Sequence, residues 1–450
     1  MPDFSRITRP NILYNGLYHY VSLALRFIYY RKFQVIGREN IPKDRKEGFL
    51  IICNHQNGLV DALSILFAVA PREPVFLARA DIFKKESIAK MLVMLRIMPA
   101  YRKRDVGTEG LGQNAAVFEQ AVKLMREGAV VALFPEAGHQ DHHYLGSFKK
   151  GFARMAFGYE EDCNFSKDLK ILPIGHHYLG YDGMQLDALF TIGEPFTFEE
   201  LYDTYKEHPE RGRYLLAAKA RERVESMILN IEEPERYEAV EQLCQMYVPV
   251  YEKRHGLRKS QLTNDLAARR AVNSKLKADG YSSSLIDKAE EYVSRLKELK
   301  MDDYVVERAG TPGFIFRTLL WILLLPVLLL SAVINFVPHQ LSRHISKSMK
   351  DHMLVHSMRL GVGLLAFLAW YLIIFAVVWI IFKKFWIALL ALLLLPVTML
   401  AYHNLRLLSA RLVQRFRKYR LKLRRDPKIT DTQRLRREIM AELDDLMQQA

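Results

Sequence analysis

The sequence predicts an α/β domain with a mixed sheet flanked by helices, followed by an α-helical module and C-terminal membrane helices. Between residues 33 and 200, short β-branched runs alternate with helical patterns, which is typical of α/β sheet domains. After residue 312, long apolar segments carry almost no charge, as membrane helices do. The predicted organisation is an interfacial N-terminal helix (1–32), the α/β domain (33–200), a charged helical module (201–312), a membrane region (313–402) and a basic amphipathic cytoplasmic tail (403–450).

Composition restricts the class of partner. Among 450 residues, Lys and Arg number 65 against 50 Asp and Glu, which gives a net charge of +15. This balance favours an anionic partner, such as nucleic acid, an acidic carrier or lipid headgroups. Cys53, Cys163 and Cys244 lie far apart, which argues against a disulfide scaffold or a four-cysteine zinc site and favours a reducing compartment.

The α/β domain is expected to contain at least five strands and a well-defined helix. A helix is predicted from Ala115 to Glu127, because its apolar residues recur at helical spacing and Gly128 follows as a stop signal. The predicted strands are Phe33–Ile36, Phe49–Asn54, Val75–Ala78, Val130–Phe134 and Ile171–Gly175.

The clearest chemical pattern follows the second predicted strand, where residues 53–61 read Cys-Asn-His-Gln-Asn-Gly-Leu-Val-Asp. A histidine with a nearby aspartate can act as a general base whose tautomer the carboxylate fixes. Positions six apart do not share a helix face, so contact between His55 and Asp61 requires a turn, which Asn57-Gly58 can supply. The residues alone leave an alternative open, in which His55 caps a helix and Asp61 lies on its surface.

Three later blocks add candidate binding residues. Residues 99–105 hold two arginines suited to bidentate recognition of phosphate. Residues 133–139 place a carboxylate and a glycine at a strand end, where sites in α/β sheets gather. Residues 148–151 open a helix, whose N-terminus favours an anion. Taken singly, each block is also compatible with a solvated charge or an ordinary turn. With the asparagine of the first motif, the candidate substrate-binding residues are Asn54, Arg102, Arg104, Glu136, Gly138, Lys149 and Lys150.

With these blocks in this order and Leu172-Pro173-Ile174-Gly175 as a last hydrophobic motif, residues 35–200 resemble the glycerolipid acyltransferase superfamily. That superfamily includes lysophosphatidate and glycerol-3-phosphate acyltransferases. The resemblance implies that His55 is the catalytic base and Asp61 its partner. In the family four residues separate this pair, whereas five separate it here, so the turn must absorb one extra residue.

The resemblance also assigns the acceptor site. It implies that Arg102, together with Arg104, holds the acceptor phosphate and that Glu136 shapes the acceptor site. The family's arginine after the third motif is replaced in the run 136–141, which reads Glu-Ala-Gly-His-Gln-Asp. This variant looks closer to the broad glycerol-phosphate acyltransferase branch, and it shifts expected phosphate contacts to the lysines at 149–150.

The implied reaction moves a fatty acyl group from acyl-CoA or acyl carrier protein to a hydroxyl of glycerol 3-phosphate or lysophosphatidate. It requires no metal or redox cofactor, its partners are membrane lipids and these substrates, and nucleic acid is not among them. The enzyme is expected to be an integral membrane protein with its catalytic domain on the cytoplasmic face. The alternatives are a non-catalytic membrane scaffold or anionic-lipid tether, and an acyltransferase for a different lysolipid acceptor.

Two other groups of residues have competing interpretations. The histidines in residues 139–143 are interpreted as part of a polar loop, with metal ligation as the alternative. Cys53 is interpreted as a core residue, with an acyl-enzyme nucleophile as the alternative, since positions two apart on a strand share a face with His55. The sequence lacks the G-x-S-x-G elbow of serine hydrolases.

The membrane region contains one predicted hairpin and one ambiguous segment. The stretches from Leu360 to Phe382 and from Phe385 to Ala401 predict a transmembrane hairpin within residues 360–402. Residues 314–337 carry a central proline, and the basic regions on either side of the hairpin both favour the cytoplasm. We therefore predict a kinked re-entrant or interfacial hairpin at 314–337, with a membrane-spanning segment as the alternative. Asn11 to Tyr30, rich in tyrosine, predicts a helix in the interface, with an ordinary packed helix as the alternative.

Overall fold

The chain divides after residue 228 into two units, Met1–Ile228 and Leu229–Ala450. The sequence placed a boundary earlier, after residue 200. Residues 201–228 belong to the first unit because their apolar side chains enter its core, where the ring of Tyr205 stacks on Phe157 at 3.9 Å between centroids. The computed structural model describes residues 4, 7–101, 112–136, 138, 141–181, 183–259, 261–307, 312–347 and 352–448.

In its described residues, the first unit is built on one mixed sheet of seven strands, in the order β1-β7-β6-β2-β5-β3-β4. β6 and β7 are antiparallel, and the other neighbouring strands are parallel. The predicted fold class is confirmed. The strands are β1 (Tyr30–Ile36), β2 (Phe49–Cys53), β3 (Val75–Arg79), β4 (Ile97–Ala100), β5 (Val130–Leu133), β6 (Ile171–Tyr178) and β7 (Leu186–Ile192).

Two strands, β4 and β7, were not predicted from the sequence. β4 has four residues and includes Pro99, which weakens a strand pattern. In β7 the apolar run is interrupted by Asp187, a residue that favours turns. Its carboxylate is nevertheless buried, since Arg31 on the neighbouring β1 donates two hydrogen bonds to it at 2.8 and 2.5 Å. Burial of this charge is possible only because the arginine compensates it.

Helices cover both faces of the sheet. Leu50 and Ile52 of β2 point into a core shared with helices on one face, and Phe49, Ile51 and Cys53 point into the core on the other. This alternation follows from the two-residue period of a strand. The helices of the unit are α1 (Ile12–Ala24), α2 (Leu59–Ala68), α3 (Glu86–Met94), α4 (Gln113–Arg126), α5 (Gly151–Asp162), α6 (Tyr202–Glu207) and α7 (Pro209–Glu225).

Helix α1 begins at a side-chain cap and keeps an exposed apolar surface. The Asn11 side chain accepts hydrogen bonds from the N–H groups of Leu13 and Tyr14, which satisfies two donors of the first turn. Ile12 is 93% exposed, and Leu13, Leu23 and Phe27 are also exposed. Such a surface suits the predicted interfacial position, which stays a prediction.

The second unit is helical in its described residues. Helix α8 contains Pro249, and α12 contains Pro326 and Pro338. Its helices are α8 (Tyr237–Arg254), α9 (Leu262–Ala278), α10 (Ser284–Leu299), α11 (Asp303–Glu307), α12 (Pro312–Lys347), α13 (His352–Phe382), α14 (Phe385–Leu423) and α15 (Pro427–Gln448).

Three of these helices, α12, α13 and α14, are long and apolar enough to cross a membrane. As predicted, α13 and α14 are joined by Lys383-Lys384 alone. Residues 314–337 lie within α12, one helix of 36 residues that continues through both prolines, so the chain does not turn back within this segment, and the spanning alternative stays a prediction. A proline removes a single N–H donor, and an apolar helix tolerates it when neighbouring groups satisfy the released carbonyl.

Candidate active site

The candidate site lies at the carboxyl edge of the sheet. β2 and β5 are parallel neighbours, with Ile52 opposite Leu133. The segments that follow these two strands therefore leave the sheet side by side, as at the ligand sites of other α/β sheets. One segment carries His55 and the other carries Glu136. The topology alone thus brings together two residues that are 81 positions apart.

A turn at Gly58 brings His55 against Asp61. Gly58 has φ +52° and ψ −122°, a conformation that residues with a Cβ rarely adopt, and it directly precedes α2. Asp61 lies in the first turn of that helix. As a result, His55 Nδ1 lies 2.8 Å from Asp61 Oδ2, despite the five residues between them. The structure thus places the predicted pair in contact.

We expect Gly58→Ala to destabilise the protein by about 1–3 kcal/mol, because alanine pays a steric cost in this backbone conformation. The matched control is Gly16→Ala in α1, where an added Cβ meets nothing within 4 Å. The control should be neutral or slightly stabilising. Chemical denaturation of both variants of the full chain checks this. Equal stability of the two variants would show that the turn carries no strain that depends on glycine.

Asp61 is buried, and both oxygens of its carboxylate accept hydrogen bonds. Its Oδ2 accepts hydrogen bonds from the backbone N–H groups of Gln56 and Asn57, both at 2.8 Å. Its Oδ1 accepts a hydrogen bond from the Tyr178 hydroxyl at 2.6 Å and lies 3.4 Å from Nδ1 of His176. The side chain is fully buried. These contacts hold the carboxylate in one position.

The pKa of Asp61 is lowered from its ordinary value. Burial by itself would raise this pKa, but hydrogen bonding and charge interaction with His176 and His55 outweigh burial. The carboxylate is therefore ionised at neutral pH. An ionised Asp61 favours the His55 tautomer in which Nδ1–H donates to it, which makes Nε2 the basic nitrogen.

The His55 ring is held from further directions. It stacks on the Phe134 ring, with centroids 4.1 Å apart and planes 14° apart. Its backbone N–H donates to Glu136 Oε1 at 2.6 Å. The His55 side chain is 17% exposed, so one part of the ring is open to the surface of the domain. Such an arrangement can orient a general base while part of its ring stays accessible.

Glu136 acts on the backbone of the site. Its second oxygen, Oε2, accepts a hydrogen bond from the N–H of Gly146 at 2.7 Å, so the carboxyl group ties the His55 segment to the loop at 146. Burial raises the pKa of Glu136 to about 7, while the two backbone N–H groups oppose that rise. The structure therefore adds a positioning contact for His55 to the acceptor-site role that the resemblance implies for Glu136.

Asn54 is buried, and its side chain forms hydrogen bonds with the backbone of a neighbouring strand. Its side-chain oxygen accepts a hydrogen bond from the N–H of His176 at 2.7 Å, and its amide donates to the carbonyl of the same residue at 3.2 Å. Both polar atoms of the amide therefore contact the backbone of β6. A substrate-binding role for Asn54 stays a prediction.

Of the predicted cations, the structure describes Lys149 and Lys150, whose role in phosphate binding stays a prediction. Lys149 donates its backbone N–H to the Pro135 carbonyl at 2.8 Å, and its ammonium lies 3.1 Å from the Ser147 hydroxyl. Lys150 pairs with Glu210 of α7 at 3.0 Å. Gly138 has open space where a Cβ would stand. Arg102 and Arg104 lie outside the described residues, so their role in phosphate binding stays a prediction.

Beside the His55–Asp61 pair lies a cluster of histidine and tyrosine side chains that was not predicted from the sequence. Besides Tyr178 and His176, it includes His177, whose ring stacks on His143 with centroids 5.1 Å apart. The Tyr181 hydroxyl lies 3.2 Å from His143 Nδ1. The run Gly-His-His-Tyr after an apolar stretch could have signalled this cluster. His143 comes from the loop considered for metal ligation, of which His139 and Gln140 lie outside the described residues.

Cys53 packs in the core. It is fully buried in the cluster that includes Ile51 and Ile174, and burial raises the pKa of its thiol well above the ordinary value. A raised pKa keeps the group as the thiol, which is a poor nucleophile. The structural interpretation of Cys53 is therefore favoured over an acyl-enzyme.

Comparison with known proteins places this domain among acyltransferases. Residues 32–177 match the model of the Acyltransferase family. A probable 1-acyl-sn-glycerol-3-phosphate acyltransferase of Mycoplasma pneumoniae is 28% identical over 152 residues, which are 33% of this chain and 53% of that protein. The 1-acyl-sn-glycerol-3-phosphate acyltransferase of Bacillus subtilis is 27% identical over 121 residues, which are 26% of this chain and 55% of that protein.

A third relative agrees with these two. The 1-acyl-sn-glycerol-3-phosphate acyltransferase of Borreliella burgdorferi is 29% identical over 125 residues, which are 28% of this chain and 46% of that protein. The family match and the three relatives support the resemblance of the α/β domain to the glycerolipid acyltransferase superfamily. The chain spans about half the length of the curated relatives it matches.

Proposed function

We propose that the chain is a membrane-bound O-acyltransferase that moves a fatty acyl group from an acyl thioester to a hydroxyl of glycerol 3-phosphate or lysophosphatidate. The observation that carries the proposal is the 2.8 Å contact between His55 Nδ1 and a buried, ionised Asp61. Its occurrence inside a domain that matches the Acyltransferase family supports the reaction class. The names of the relatives favour a glycerol-phosphate acceptor.

In the proposed reaction, Nε2 of His55 takes the proton of the acceptor hydroxyl while that oxygen attacks the thioester carbonyl carbon. Asp61 stabilises the imidazolium that forms. The tetrahedral intermediate then collapses, the C–S bond breaks, and the imidazolium returns its proton to the leaving thiolate. The products are an ester and a free thiol, and His55 is regenerated. A positioned general base contributes about 10²–10⁴-fold to such a rate.

The substrates and their location follow from the same proposal. The acyl donor is acyl-CoA or acyl carrier protein, both acidic partners that suit the basic chain. The acceptor and product are lipids or lipid precursors, which suits a chain whose described residues include three helices long and apolar enough to cross a membrane. The catalytic domain then lies on the cytoplasmic face. The proposed chemistry needs no metal or redox cofactor.

The direct test incubates the purified full chain with labelled palmitoyl-CoA or palmitoyl carrier protein and a panel of acceptors. The panel contains glycerol 3-phosphate, lysophosphatidate, lysophosphatidylethanolamine and lysophosphatidylcholine. Labelled ester with either of the first two supports the proposal. Ester with only the two zwitterionic lysolipids indicates a different acceptor, and no ester with any acceptor contradicts acyl transfer.

We expect Arg102→Ala to raise the acceptor KM by about 10–100-fold with a smaller effect on kcat, because a hydrogen bond to a charged group is worth about 1.5–3 kcal/mol. The control is Arg211→Ala, which removes the same charge from an exposed position of α7. Initial rates over a range of acceptor concentrations measure both constants. An unchanged KM in the Arg102 variant would rule out its assignment to the acceptor phosphate.

A further inference from the structure

The strongest feature outside the acyltransferase domain is the basic half of α14. No Asp or Glu occurs between Ala401 and Asp426. Three cations of this stretch donate hydrogen bonds to other groups of the second unit. Arg417 and Lys418 donate to the backbone carbonyls of residues at the end of α10 and in α11, and Arg415 donates to the Tyr304 hydroxyl. These three cations therefore have a structural role within the unit.

The segment also carries cations that are exposed and lie on several sides of the helix, and we call these, with the exposed apolar residues between them, the outer face. Their side chains are exposed, and within the described part of the chain they make no hydrogen bond or ion pair. Exposed apolar side chains alternate with them, among them Phe416 at 59% and Leu423 at 68%. A helix that exposes both cations and large apolar side chains can lie in a lipid interface. The outer face consists of Arg411, Val413, Phe416, Tyr419, Arg420, Lys422, Leu423, Arg424 and Arg425.

A second observation concerns the helix beside this segment. Trp321 Nε1 of α12 donates to Ser409 Oγ at 2.7 Å, and the Asn335 amide donates to Thr398 Oγ1 at 3.0 Å. The apolar half of α12 therefore runs beside α14 from residue 398 to at least residue 409. On that half Phe316, Leu319 and Leu323 are 67, 62 and 74% exposed. The cations of α14 thus continue a hydrophobic surface.

We propose that the outer face binds the headgroups of an anionic phospholipid leaflet. Its arginines and lysines meet lipid phosphates while Phe416 and Leu423 enter the acyl boundary. A nucleic acid would satisfy the cations but leave the apolar side chains of both helices in water, so the lipid surface is the better match. The proposal does not depend on acyl transfer, and its test does not measure activity.

The test uses the full chain in nanodiscs of phosphatidylcholine, with or without phosphatidylglycerol. A spin label at Phe416→Cys reports exposure to a water-soluble nickel chelate, and one at Glu119→Cys on α4 gives the water-exposed reference. The native cysteines are buried and so are poor targets for the label. With phosphatidylglycerol, the label at 416 should be shielded relative to the reference, and without it or in high salt, the shielding should weaken.

The decisive variant changes Arg411, Arg420, Lys422 and Arg424 to Gln. Each cation near an anionic surface favours binding about fivefold, so removing four should shift the equilibrium by about two to three orders of magnitude and expose the label. The matched control removes four exposed lysines of the first unit, at positions 43, 46, 84 and 85. Shielding that is independent of phosphatidylglycerol and of the four cations would overturn the proposal. Protection of the label by an RNA oligonucleotide in the same nanodiscs would also overturn it.

Discussion

Replacing His55 with glutamine is expected to lower kcat by about 10²–10⁴-fold, which is the contribution of a positioned general base. Glutamine keeps a polar side chain of similar size, but it cannot take the proton of the acceptor hydroxyl. The fold should survive, because the backbone N–H of residue 55 can still donate to Glu136. Single-turnover rates with labelled acyl thioester would measure the loss directly.

The matched control for this experiment is His208→Gln, at an exposed position that precedes α7. It removes an imidazole from the same unit and should leave kcat unchanged. A His55→Gln protein that is folded and retains the wild-type rate would refute the assignment of the base. A rise in acceptor KM without loss of kcat would instead make His55 a binding residue.

The second large effect is expected for Asp61→Asn, with a loss of about 10³–10⁴-fold in kcat, as when the carboxylate partner of a catalytic histidine is replaced. Asparagine is nearly isosteric, but its NH₂ group cannot accept a hydrogen bond. This NH₂ group would lie opposite one of the groups that now donate a hydrogen bond to the carboxylate. Those donors belong to His55, Gln56, Asn57 and Tyr178. The imidazolium would also lose the charge that stabilises it.

The same substitution has a consequence for stability that depends on pH. Because the folded-state pKa of Asp61 lies below its ordinary value of 3.8, its ionised form stabilises the fold above about pH 4. This contribution is lost as pH falls below about 4, where the unfolded state binds a proton that the folded state resists. The stability gap between wild type and Asp61→Asn should therefore be largest near neutral pH and narrow in acid.

Denaturation of both proteins at pH 7 and at progressively lower pH measures this gap. The control is Asp162→Asn at the end of α5, whose half-exposed carboxylate pairs with Arg126 and should contribute less than about 1 kcal/mol. If Asp61→Asn lowers stability but leaves kcat of the folded protein intact, the carboxylate is structural and the proposed mechanism fails.

The pairing of His55 with Asp61 could be predicted because it is local. A strand end, an Asn57-Gly58 turn and the start of a helix lie within nine residues, and their conformations follow from short-range sterics. The mixed α/β sheet was likewise predictable, since alternating strand and helix patterns repeat along residues 33–200. The roles of the two residues in catalysis stay predictions that the variants above test.

The surroundings of the pair could not be predicted in this way. Tyr178 lies 117 positions from Asp61, and Glu136 lies 81 positions from His55. They meet only because β6 and β5 flank β2 in the sheet. The residue pattern of a single strand does not predict its neighbours in the sheet. The full set of hydrogen bonds to Asp61 and the raised pKa of Glu136 therefore could not be predicted from the sequence.

The membrane region, too, could be predicted only in part from the sequence. Apolar length and charge were enough to identify the segments of α12, α13 and α14, whereas the continuity of α12 through Pro326 was not foreseen. A linear pattern reports what each stretch prefers on its own, because propensity, turns and periodicity act over a few residues. The order of the strands and the burial of Asp61 depend on contacts between distant segments. The same holds for the division of the α14 cations into those that donate hydrogen bonds within the unit and those that are exposed. Such contacts form only when the chain is packed.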